Sequence, residues 1–314
     1  MLVGRMSYTD CPEGSAHDPN FGSVHRIIEP KVKDLGEFSV RRALHHGGTR
    51  MVGPWIFFDH FGPAKFEAGQ GMNVRPHPHI NLATVTYLFE GEIHHKDSLG
   101  SDAIITPGAI NLMVAGKGIV HSERPSERMD TVYTMEGLQL WHALPEEYEE
   151  TEPAFHHYPS DDIPTFTREG VEGRVMMGTA FGVTSPVKTF APTLYFEAQM
   201  QEGACLDLPE AEELAIYTTE GDVRVDGVSA PHQQLTVLDT AHARRVTAHS
   251  PARFAAIGGQ NLGRRHIAWN FVSSRRERIE EAKRDWMDDK FPKVPGDSEE
   301  RIPLPESERP VMYP

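Results

Sequence analysis

Short segments rich in Val, Ile, Phe and Thr begin at Ser23 and recur along the chain, separated by Gly, Pro, Asp or Asn. Residues 38–44, 55–59, 83–89 and 103–105 are examples, and no long helical period interrupts them. Repeated short strands with such punctuation predict an all-β barrel or sandwich. Gly91 and Gly100 bracket residues 92–99 as a hairpin, Pro107-Gly108 marks the next turn, and strand character continues through 137–141. The acidic, proline-bounded stretch 145–153 then reads as a linker or outer crossing. The second half repeats the style at 194–198, 214–218, 223–227, 235–238 and 254–259, as a second copy of the same architecture. One helix is expected near the end. Ser274 and Glu277 have the spacing of a capping box, and Ile279, Ala282 and Trp286 form one apolar face. From Phe291 onward, frequent prolines predict an extended tail over the surface.

The pattern divides the chain into a flexible N-terminal extension (1–22), a first β domain (23–150), a second (151–272), and a C-terminal helix with a proline-rich tail packed on both (273–314). At 314 residues there is length enough for two buried cores. Acidic residues outnumber basic ones 46 to 31, for a formal charge of -15. Such a surface repels phosphate backbones and argues against direct nucleic-acid binding. Arginines 244, 245, 275, 276 and 278 are therefore expected to be solvated or paired within the fold. No apolar run reaches the ~18 residues of a membrane helix, and no signal-peptide layout opens the chain. Cys11 and Cys205 are far apart and in no CxxC pattern, so reduced cysteines and a cytoplasmic location are expected.

Chemistry concentrates in two short pieces, Arg75-Pro76-His77-Pro78-His79 and Val120-His121-Ser122-Glu123. Each carries two metal-ligand side chains spaced i, i+2, and residues two apart on a strand point the same way. On two neighbouring strands, His77, His79, His121 and Glu123 could converge on one divalent cation. Pro76 and Pro78 cannot donate ladder hydrogen bonds, which predicts an edge or bulged strand at this point. Three neutral imidazoles and a carboxylate would leave open positions, as oxygen-activating non-haem iron requires. The donors alone leave Zn, Mn, Co, Ni and Cu open. His94, His95, His142, His156 and His157 lack such a context and are expected to be exposed or hydrogen-bonded, with room for one of them to support the ligands from behind. Phe57, Phe58, Phe89 and Trp141 are expected in the core, one or two of them lining the cavity. The second half has no HxH pair, so no second metal centre is expected.

The spacings Gly71-x5-His77-x-His79-x11-Gly91 and Gly116-x-Gly118-x2-His121-x-Glu123 resemble the two cupin motifs. Where a cupin usually places its glutamate this chain has Thr84, and the carboxylate has moved to Glu123. With HPHINLATVTYLFEGEI, GKGIVHSERP, VGPWIFFDHFGP and WNFVSSRRERIEEAKRDW, the chain resembles the pirin family of bicupins over roughly residues 23–304. The resemblance implies two antiparallel β-barrels of jelly-roll type. The first would hold one divalent ion, usually Fe(II), through His77, His79, His121 and Glu123; the second would have lost its ligands. It also implies quercetin 2,3-dioxygenase-type chemistry: a flavonol or similar planar enol or phenol reacts with O2, the heterocycle opens and carbon monoxide leaves, with Glu123 as general base. Alternatively, the resemblance implies a non-catalytic, iron-binding, redox-sensitive regulatory protein and transcriptional cofactor acting through a protein partner. A metal-stabilised scaffold without chemistry is the third reading.

Overall fold

The computed structural model describes residues 23–308 except 37, 46–48, 50 and 242–243. The expected extension 1–22 and the last prolines of the tail lie outside the described residues. The first half forms twelve strands: β1 (Val24–Ile28), β2 (Lys31–Asp34), β3 (Ser39–Leu44), β4 (Trp55–Phe66), β5 (Val74–His79), β6 (Leu82–Glu90), β7 (Ile93–Asp97), β8 (Asp102–Ile105), β9 (Ile110–Val114), β10 (Ile119–Pro125), β11 (Tyr133–Ala143) and β12 (Ala154–Tyr158). A seven-stranded sheet in the order β12-β9-β6-β11-β4-β3-β2 opposes a four-stranded sheet, β5-β10-β7-β8. The second half repeats this plan. Seven strands, including Thr193–Met200, Glu213–Glu220 and Ala252–Gly259, oppose four that include Val223–Val225 and Arg245–Ala248. The fold is the expected all-β bicupin.

Strand alternation assigns each side chain to one of three apolar layers. Phe58, Val85, Tyr87, Leu112 and Leu140 face Tyr195, Tyr217, Ala255 and Ile257, so the two seven-stranded sheets pack back to back. Between the second unit's sheets, Phe166, Phe196, Phe254, Val175, Val223 and Val246 form a continuous apolar filling. The first unit's interior is different. It has an apolar cluster around Phe57, Met113 and Trp141 and another around Phe61, Leu88, Ile93 and Ile105, with polar side chains among them.

Two strands cross the division expected near residue 150. β1 completes the second unit's large sheet by pairing with Leu235–Leu238, and β12 pairs with β9 in the first unit. Residues 92–99 are not a hairpin by themselves: β7 is its first arm and β8 its second, with the turn at Gly100. The helix, α1 (Arg276–Met287), buries Ile279, Ala282 and Trp286 as expected. Its expected capping box does not form. The N-cap is Arg275, without a side-chain cap, because the Ser274 hydroxyl donates instead to the buried Glu149 carboxylate (2.9 Å). The tail after Phe291 is irregular but anchored, with Val294 and Leu304 buried beside Trp286, Ile80 and Val120. The expectation for the cysteines involves Cys11, which lies outside the described residues. No helix among the described residues is long and apolar enough to cross a membrane.

Candidate metal centre

The centre of the small sheet is β10, hydrogen-bonded to β5 on one side and β7 on the other. In register, His121 lies opposite His77 on β5 and opposite Asp97 on β7, while Glu123 lies opposite His95. Residues facing each other across an antiparallel pair share a face. The face carrying His121 therefore also carries His77, His79, Glu123, His95 and Asp97. The alternate residue Val120 packs with α1 on the outside. The expected irregularity is present: β5 is an edge strand, and its pairing with β10 shifts register between His121 and Glu123. The turn into β10 needs glycine at Gly116, where φ is +49° and a Cβ would collide with the Thr151 carbonyl oxygen.

His77, His79 and His121 each offer a ring nitrogen, and these atoms lie within 4.8 Å of one another. The His77 and His121 ring centres are 4.3 Å apart, those of His79 and His121 5.1 Å. His77 Nδ1 donates to the Arg75 carbonyl (2.9 Å), and His79 Nδ1 donates to the Asn270 carbonyl (3.0 Å). A carbonyl can only accept, so the proton sits on Nδ1 and both Nε2 atoms are free to ligate. Both nitrogens of His121 are buried without a hydrogen-bond partner. Burying an imidazole with neither nitrogen satisfied is costly, unless a ligand takes one of them. Burial lowers the pKa of His77 to about 4 and takes His79 and His121 well below the ordinary value. The rings are thus neutral, the form that binds metal. Together they make a three-histidine site suited to a divalent metal ion.

Glu123 lies on the same wall but outside the 4.8 Å group, beyond the register shift. Its carboxyl is buried, and burial pushes its pKa up to about 7. Thr84 stands on the opposite sheet, buried between Met113 and Trp141 in register. Phe57 and Trp141 stack with centroids 4.0 Å apart, and the Trp141 and His79 rings meet edge to face with centroids 5.0 Å apart. Phe58 instead packs between the two large sheets, and Phe89 is only partly buried against that layer.

Of the histidines outside the two motifs, one stands beside the imidazoles. His95 is buried 5.4 Å from His121, stacks on Phe155 (4.3 Å), and meets Asp97 through Nε2 (3.2 Å). His95 and Asp97 are themselves an i, i+2 pair between Gly91 and Gly100, a pattern that could have marked them. The other histidines are elsewhere. His94 pairs with Asp102 (2.6 Å), and His142 meets Thr193 of the second unit (2.9 Å). His157 is exposed and bonded to Asn111 (2.7 Å).

Comparison with known proteins agrees with this geometry. The pirin family model matches residues 37–142, and the pirin C-terminal cupin domain matches 195–292. A pirin-like protein of Caulobacter vibrioides is 43% identical over 287 residues, covering 90% of this chain and 100% of its own. A Pseudomonas aeruginosa protein provisionally named quercetin 2,3-dioxygenase is 34% identical, covering 89% of this chain and 87% of its own. The crystal structure of a quercetin 2,3-dioxygenase from Acinetobacter baumannii superposes with a TM-score of 0.84 at 32% identity, over 92% of this chain and 97% of that one. The first matched segment holds the convergent imidazoles, and the second spans most strands of the second unit together with α1: the chain belongs to the pirin family.

Proposed function

We propose that His77, His79, His121 and Glu123 hold one Fe(II) ion per chain, and that the site opens the ring of a flavonol or a similar planar enol or phenol using O2. The observation that carries this reading is His121, a fully buried imidazole with neither nitrogen satisfied, facing two further imidazoles whose Nε2 atoms are free. The names of the Pseudomonas and Acinetobacter relatives support the reaction class.

When bound, the ion would supply Lewis acidity toward an enol oxygen and a redox-active centre for dioxygen chemistry. The chain supplies the rest. Its carbonyls at Arg75 and Asn270 fix the tautomers and orientations of His77 and His79. Glu123, with no partner among the described residues, accepts the substrate's hydroxyl proton as general base. Phe57, stacked on Trp141, fixes that indole beside His79, where it supplies an apolar aromatic surface next to the imidazoles for a planar substrate.

The test is oxygen uptake by anaerobically purified, iron-loaded protein with quercetin as the probe. The expected result is uptake well above that of free Fe(II), with carbon monoxide released. Glu123→Ala should retain metal and lose about 10²–10⁴-fold in rate. Full turnover in that variant contradicts the base assignment. Loaded protein that consumes no oxygen across a flavonol panel would replace this reading with a redox-sensitive regulatory protein acting through a partner.

A further inference from the structure

The wall opposite the imidazoles is banded. Pairing across the large sheet places Phe57, Trp141, Thr84, Met113 and Phe155 in one cross-strand row on the face turned toward the small sheet. This row touches the centre, with Trp141 against His79 and Phe155 against His95. Two residues along each strand, or about 7 Å at ordinary strand rise, lies a second row. It reads Asp59, Gln139, Thr86, Asn111 and His157, again opposite one another in register. The first row is mainly apolar and aromatic, the second wholly polar.

Most of the second row is internally paired. Arg42 grips Asp59 through two hydrogen bonds (2.9 and 2.7 Å), Thr86 donates to Gln139 (2.8 Å), and His157 meets the Asn111 side-chain oxygen (2.7 Å). Asn111 is the exception. Its side chain is 2% exposed, yet Nδ2 has no acceptor. A buried amide N–H without a partner carries a desolvation penalty that a bound acceptor would relieve. It lies on the same face as Met113, one row from the aromatic band.

We infer that Asn111 is a specificity-determining residue, whose amide N–H receives an oxygen acceptor at the end of the ligand remote from the metal. The preferred ligand is then a planar aromatic with two functional ends. An enol or phenol oxygen sits at the imidazoles, a ring lies along the aromatic row beside Trp141, and a hydroxyl or carbonyl oxygen on the far ring meets Asn111. This inference rests on the flavonol reading above and adds the requirement for remote oxygens.

The experiment is an anaerobic binding titration of the metal-loaded protein, followed by tryptophan fluorescence. The probes are quercetin and 3-hydroxyflavone, which keeps the same chelating oxygens but lacks the hydroxyls on the far ring. Wild type should bind quercetin more tightly. Asn111→Leu should weaken quercetin binding about tenfold and leave 3-hydroxyflavone unchanged, which abolishes the discrimination. Asn111→Asp keeps the acceptor toward His157 but removes the donor, and should do the same without loss of volume. Discrimination retained in both variants, or an equal loss for both probes, overturns the role of Asn111 alone. Failure of wild type to bind either probe overturns the flavonol reading and this inference with it.

Discussion

The two halves of the molecule share a plan and differ in what they enclose. Each opposes a seven-stranded sheet to a four-stranded one. In the second, Phe166, Phe181, Phe196 and Phe254 form a contiguous aromatic cluster, with Phe166 stacked on Phe181 at 4.0 Å and Phe181 edge-on to Phe196 at 5.0 Å. In the first, the equivalent space holds His77, His79, His95, His121, Glu123 and Asn111, all buried. An apolar interior stabilises by transfer and packing alone. Buried polar atoms without partners, here both His121 nitrogens and Asn111 Nδ2, cost stability and are explained by binding. One fold thus serves as a packed core in one copy and as a site in the other. The back-to-back large sheets join the two copies through one shared apolar layer.

The comparison can be broken in order of expected effect. Phe196→Ala in the filled interior should cost about 3–5 kcal/mol in chemical denaturation, while the loaded first unit keeps its metal. If the truncation removes the metal as well, the two interiors are not independent. Next comes the shared layer. His142 lies between the units, and burial lowers its pKa to about 4. Between the ordinary histidine pKa of 6.5 and about 4, the unfolded chain takes up a proton that the folded one does not. As pH falls across that window, His142 by itself should therefore take about 3 kcal/mol from stability. His142→Gln should flatten the profile by that amount; an unchanged profile would place the acid sensitivity elsewhere. The smallest effect concerns the segment behind the site. Ser274→Ala removes one hydroxyl from the buried Glu149 carboxylate and should cost about 1 kcal/mol, read as a thermal shift. No shift would mean that the Ser273 hydroxyl, the Ser274 backbone N–H and the Arg265 guanidinium already satisfy Glu149.

Much of this was legible in the chain itself. Alternation and turn residues carried the all-β reading, and the i, i+2 pairs marked His77, His79 and His121 because strand geometry makes that spacing a shared face. Pro76 and Pro78 announced the irregular edge strand correctly. Other features depended on partners distant in sequence. Nothing local shows that β1 would pair with Leu235–Leu238, or that the Asn270 carbonyl would orient His79 from 191 residues away. The capping box was a sound local pattern overridden by Glu149, a tertiary acceptor that claimed Ser274. Asn111 was invisible because its meaning lies in an absent hydrogen bond and a cross-strand row, neither of which has a sequence period.

The central claim, that the first interior is built around a metal, is tested most directly by metal content of the anaerobically purified protein beside His121→Ala. About one divalent ion per wild-type chain is expected, with near-complete loss in the variant while the fold, read by circular dichroism, is retained. A folded His121→Ala protein that still carries its ion in full would contradict the account.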